Sequence, residues 1–151
     1  MRQILYTMHF RGQASPAGDQ QQILHTVGSA TSCLVRTLVR STGLETQVTA
    51  EGGDCAFFES DLRATGADEF HEEGSICLGE DSEHLLRFST IGEGHMTPGL
   101  VPGMTAGSAT LKVEGGEGQF SEARGFITTA FTLSETGERQ DYHCGLIFLQ
   151  E

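Results

Sequence analysis

Apolar and polar residues alternate with a period of two over much of this chain, the spacing of strands with one buried face. In the first such segment Ile4, Tyr6, Met8 and Phe10 share a face, and Thr7, His9 and Arg11 lie opposite. Thr31–Arg40 is rich in Val, Leu and Thr. Leu44–Ala50 alternates again and runs into Glu51-Gly-Gly-Asp54, a turn signal that predicts a hairpin with Cys55–Arg63. Further strands are predicted at Ser75–Leu78, His84–Thr90, Ser108–Glu114, Gly125–Leu133 and Asp141–Leu149. A short amphipathic helix fits residues 19–27. Gly92–Gly107, with five glycines and two prolines, reads as the longest irregular segment.

Eight short strands, up to nine, with no long helix predict an all-β antiparallel barrel or sandwich in one domain, 1–151. Closure into a barrel removes the exposed edges that such a chain would otherwise carry. The run Cys144-Gly-Leu-Ile-Phe-Leu149 is apolar on both faces. Its outer face is therefore expected to be covered, with a homo-oligomer (dimer or trimer) as the natural cover.

Charge narrows the partners. The net charge is −12, from +3 over residues 1–42, −11 over 43–93 and −4 over the remainder. Such a chain has no electrostatic footprint for nucleic acid, and an anionic membrane surface would repel it. No apolar run reaches the length of a membrane-spanning helix, and the opening residues lack the pattern of a secretory leader, so a cytoplasmic protein is expected. The four cysteines, 33, 55, 77 and 144, have no metal-ligand spacing and are expected as free thiols.

The most specific stretch is Val113-Glu-Gly-Gly-Glu-Gly-Gln-Phe120 followed by Ala123-Arg-Gly125. Glycine serves where φ must be positive or backbones must approach closely. The stretch resembles the glycine-rich corner, GGTG-x-F-x-x-A-x-G, of the allene oxide cyclase and dirigent families. Glu117 stands where those families carry Thr or Ser. The resemblance implies an eight-stranded antiparallel barrel, covers residues 84–151 best, and carries over no catalytic set. It implies a calycin-like barrel that binds a hydrophobic small molecule inside, with cyclase or isomerase chemistry that works by holding one substrate conformation. The other reading is a non-catalytic binding or oligomerisation module with a side-chain-filled interior. No cofactor is expected.

Candidate residues depend on which faces point inward. Glu59 shares a face with Phe57, Asp61 and Arg63. If Phe57 points inward, Glu59 becomes an interior acid or base; if Phe58 and Leu62 point inward, the simpler assignment, the carboxylates face solvent. His84 shares an apolar face with Leu86, Phe88 and Thr90. Tyr142 and His143 lie on opposite faces of the last strand, and whichever faces inward becomes a hydrogen-bond donor. Tyr6 and His9 offer the same choice on the first strand. The catalytic candidates are thus Tyr142, His84 and Glu59, and the ligand-binding candidates Tyr6, Phe57, Phe88, His95 and His143. His95 is placed on the glycine-rich segment as a loop residue at the barrel mouth. His71 with nearby carboxylates in Asp68–Glu73 is a weak metal-binding pattern, and no metal is expected.

Overall fold

The computed structural model describes residues 1–150, with the backbone alone for Gln20 and Gln21. It contains nine strands: β1 (Arg2–Ala17), β2 (Gln20–Arg40), β3 (Gly43–Ala64), β4 (Glu69–Leu78), β5 (His84–Thr90), β6 (Gly94–Pro98), β7 (Met104–Glu117), β8 (Arg124–Ser134) and β9 (Glu138–Leu149). All pairings are antiparallel. The sheet order is β3-β2-β1-β9-β8-β7-β5-β4-β6, and β4 pairs back onto β3, so the strands close in a ring. Strand β6 bridges β4 and β7 as β5 does, but at the opposite end of those two strands. No α-helix occurs among the described residues, and no helix is long and apolar enough to cross a membrane.

Three local expectations are corrected. Residues 20–27 belong to β2 rather than to a helix, because they pair with β1 and β3. Glu51-Gly-Gly-Asp54 is no hairpin turn: β3 runs through it, and the reversal falls at Ser41-Thr42. The ladder joins Thr31 to Cys55 and then Cys33 to Ala50, so Glu51–Asp54 bulge out opposite Ser32. Gly53, at φ +155°, takes the conformation that the bulge demands. Gly92–Gly107 is less irregular than its composition suggests, since it holds β6 and the start of β7.

The corner at 113–127 forms as the glycines require. Gly115 and Gly118 have φ of +82° and +61°. A single 3-10 turn, Gly118–Phe120, then buries Phe120 and leads through buried Ala123 into β8.

Inside the ring the alternation is strict. Phe10, Phe58, Ile76, Leu86, Phe88, Leu111, Val113, Phe120, Ile127 and Ile147 belong to one apolar cluster. Leu62, Phe70 and Phe131 form a second, smaller one. The cysteines are free thiols, three half-buried and Cys144 exposed.

Candidate functional site

Strand β9 projects Arg139, Asp141 and His143 from the same face, at every second position, into the interior. Arg139 lies between the two apolar clusters, its guanidinium 4.1 Å from the Phe131 ring centroid and 5.5 Å from that of Phe58. Facing it from β4 is Glu72, which is 0% exposed. The guanidinium donates to both Glu72 carboxylate oxygens, at 2.6 and 3.1 Å, and to Asp141 Oδ2 at 2.6 Å. Ser60 Oγ donates to Glu72 Oε2 at 2.8 Å, and Arg139 Nη1 also reaches Thr26 Oγ1 at 3.3 Å. The Thr129 hydroxyl donates to Asp141. Thr90 braces the backbone here: its Oγ1 accepts from Glu72 N and donates to the Glu72 carbonyl, at 2.8 and 2.9 Å. Six strands of the ring thus meet in one ionic layer.

Burial alone would drive both ion types toward neutrality, yet the contacts reverse this. For Asp141, burial raises the pKa, but His143, Arg139 and the Thr129 hydroxyl outweigh it and hold the carboxyl at about 2. For Arg139, burial opposes the charge while the Glu72 and Asp141 carboxylates raise the pKa further. The layer holds two carboxylates against one guanidinium, a formal charge of −1 that a protonated His143 would cancel.

His143 is the last member of the layer. Its ring packs against Phe10 and Phe58, at 4.9 and 5.4 Å between centroids. Nε2 sits 3.4 Å from Asp141 Oδ1, too long for a well-formed hydrogen bond, and neither ring nitrogen has a hydrogen-bond partner among the described residues. On the neighbouring strand β1, the buried Tyr6 hydroxyl is also without a partner. Burial, then the negative charge of Asp141, raises the Tyr6 pKa, so the phenol stays protonated and acts as a donor. Tyr6 pairs with Gly145, and its ring occupies the space a side chain there would need: a Cβ on Gly145 would lie 2.1 Å from the Tyr6 ring. Beyond Tyr6 an apolar pocket of about 100 Å³ is lined by Ile4, Met8, Leu86, Phe120 and Ile147, among others.

The interior therefore contains three of the residues predicted from the sequence, Tyr6, Phe88 and His143. The others lie elsewhere. Tyr142 points outward, is 53% exposed and stacks on His9 at 4.3 Å. Glu59 and Phe57 also face outward, because Phe58 and Leu62 take the inward positions of β3. Glu59 binds His25 Nε2 at 3.1 Å, and Asp61 holds the other ring nitrogen at 2.8 Å. His95 is exposed on β6, on a strand rather than a loop. His84 is half-buried at the glycine corner, where its Nδ1 accepts from the Gln119 backbone N–H at 3.1 Å. A side chain on Gly118 would meet that nitrogen at 2.3 Å, so His84 and the corner are fitted to one another.

Glu72, Arg139, Asp141, Thr129, Thr26 and Ser60 were not singled out from the sequence. One signal was present: Arg139-x-Asp141-x-His143 repeats at the strand period on the face that continues into Gly145, Ile147 and Leu149. Glu72 likewise shares the face of Phe70 and Ile76. No group of three or more metal-ligating side chains occurs among the described residues, so His71 and its neighbouring carboxylates do not assemble as ligands.

The fold and the interior define a class, a closed antiparallel sheet with an ionic layer at its centre and an apolar pocket at one end. Comparison with family models, with curated proteins and with solved structures finds no match to this chain.

Proposed function

We propose that this chain is an allene-oxide-cyclase/dirigent-like barrel that binds a slender, mainly apolar small molecule in the pocket beside Tyr6. The observation that carries the reading is the buried Tyr6 hydroxyl, which belongs to a residue lining the pocket and has no hydrogen-bond partner among the described residues. A buried donor without an acceptor is rare and costs about 1–3 kcal/mol, so a ligand acceptor in the pocket accounts for the Tyr6 hydroxyl. The Tyr6 phenol donates to a carbonyl or carboxyl oxygen, and the apolar lining holds the remainder. Ligand pockets usually measure about 300–1,000 Å³, so a pocket of about 100 Å³ suits a narrow group or the leading end of a chain. Any isomerase or cyclase chemistry would come from confinement in one conformation, with Tyr6 as hydrogen-bond donor to the reacting oxygen.

A second reading has its own support. Phe10, Phe58, Phe88, Phe131 and the ionic layer fill the rest of the interior, as in a non-catalytic module with a packed core. The two separate in one titration. Cyclohexanone and hexanoic acid are added to the labelled protein, and amide shifts at Tyr6, His143 and Gly145 are followed by NMR. The binding reading expects saturable shifts there, weakened about tenfold in Tyr6→Phe, the value of one hydrogen bond. Absence of saturable shifts, or shifts unaffected by Tyr6→Phe, favours the packed module.

A further inference from the structure

Strands β2 and β3 extend well past the ring. Beyond the bulge, Cys33–Arg40 and Gly43–Ala50 pair only with each other and form a two-stranded arm. Such a hairpin is marginal in water unless something packs on it. This one carries Val39, Leu44 and Val48 at 84%, 70% and 66% exposure.

The arm leaves open edges. Strand β1 pairs with β9 from Arg2 to Gln13 but with β2 only from Arg11 onward. Among the described residues, the β2-facing edge of β1 over Arg2–Phe10 is therefore unpaired, and so is the facing edge of β2 in the arm. The two edges match. Continuing the register that joins Arg11 to Ser29 sets Thr7 opposite Cys33 and Arg2 opposite Leu38. The Cys33 thiol indeed reaches the Thr7 carbonyl at 3.8 Å. The β1–β2 ladder itself ends at Arg11 and Ser29, just before the Glu51–Asp54 bulge in β3.

We propose that the arm clasps a second copy of this chain, its β2 edge adding to the open β1 edge, Arg2–Phe10, of that copy, with the same exchange made in return. The ladder that ends within one chain is then continued between two, in a closed two-fold arrangement. The matched register of the two open edges selects this occupant. Residues 31–50 carry Arg36 and Arg40 against Glu45, a net +1, and the remaining chain carries −13. The receiving edge, Arg2–Phe10, carries Arg2 and no acid, so any attraction is between arm and body as wholes rather than from edge to edge. The register sets Arg36 opposite Ile4, so no like charges face each other across the new ladder. Two exchanged arms and the surfaces that receive them supply the ~20–30 residues a side of a standard interface. The inference does not depend on the small-molecule reading.

The test places one cysteine on each edge of the full chain, Gln3→Cys and Thr37→Cys, which face each other in this register. Cys144→Ser is added because Cys144 is exposed. Light scattering is expected to return twice the 16.2 kDa chain mass, and mild oxidation with oxidised glutathione a covalent dimer. The variant Leu44→Glu with Val48→Glu, at exposed positions that the ring does not need, should weaken the dimer at least tenfold. A monomer at micromolar concentration, a crosslink within one chain, or a dimer that the cysteines fail to link overturns the proposal.

Discussion

The two halves of the interior treat polar groups in opposite ways. Around Arg139 both carboxylates, the guanidinium Nη atoms and the hydroxyls of Thr26, Ser60 and Thr129 have partners. Around Tyr6, a few residues along the same ring, the phenol hydroxyl is buried without a partner among the described residues, and His143, at the margin of the layer, reaches only Asp141 Oδ1, at 3.4 Å. The first arrangement resembles a structural device, since a satisfied buried network locks its strands in one register. The second leaves a buried phenol donor open, and the proposed binding site is built on it. Within one closed sheet, then, the denser pairing around Arg139, where the guanidinium Nε alone stays unpaired among the described residues, ties six strands together, and the open Tyr6 hydroxyl is the group on which the proposed binding rests.

The sharpest way to break this comparison is to remove one ion. Arg139→Met leaves Glu72 and Asp141 facing each other without compensation and should destabilise the fold by about 3–5 kcal/mol. Chemical denaturation measures this. The triple variant Glu72→Gln, Arg139→Met, Asp141→Asn should recover much of the loss. If Arg139→Met alone costs less than about 1 kcal/mol, the layer does not hold the strands.

Acid probes the same layer more gently. Asp141 titrates at about 2 in the folded protein, against 3.8 ordinarily. Because the folded value is the lower one, its contribution of about 2 kcal/mol is fully present above pH 3.8 and is lost as pH falls through 2. Denaturation midpoints between pH 5 and about pH 2 should fall, and Asp141→Asn should flatten that part of the profile.

The pocket half predicts smaller effects. Gly145→Ala drives a methyl into the Tyr6 ring and should cost about 1–3 kcal/mol, with the Tyr6 ring resonances displaced. Tyr6→Phe removes a buried hydroxyl without a partner, so the ligand-free protein should be unchanged or more stable by about 1 kcal/mol, even though ligand affinity falls. Tyr142→Phe is the control on the outer face: thermal stability should stay within about 0.5 kcal/mol and ligand affinity should not change. If Tyr142→Phe affects binding and Tyr6→Phe does not, the site lies on the outside of the sheet.

Much of the fold was legible because a strand with one buried face announces itself. Ile4, Tyr6, Met8 and Phe10 were assigned to one face and line the interior, and the glycine corner was read as a corner. The errors came where two physical patterns share one signature. Glu51-Gly-Gly-Asp54 reads as a turn because glycine serves turns and bulges alike, and only the pairing of Thr31 with Cys55 separates them. Gly92–Gly107 reads as a loop because its prolines and glycines hide a five-residue strand that owes its place to β4 and β7. The site was harder. Local pattern treats Glu72 as one more acid in a solvated run, and Arg139 and Asp141 as the polar start of the last strand. Their charges become tolerable inside only because Arg139 pairs with Asp141 two residues along its own strand and with Glu72 across the ring.

The sequence by itself determined the class of fold, which residues of the first strand share a face and the position of the corner, because these follow from a two-residue period and from what glycine alone permits. The tertiary structure decided everything that depends on distant residues facing each other. It placed Glu72 of β4 against Arg139 of β9, turned Glu59 and Tyr142 outward, and left the Tyr6 hydroxyl without a hydrogen-bond partner among the described residues. The physical reason is range. Alternation and backbone preference act over a few residues, whereas an ion pair between positions 72 and 139 exists only after the ring has closed.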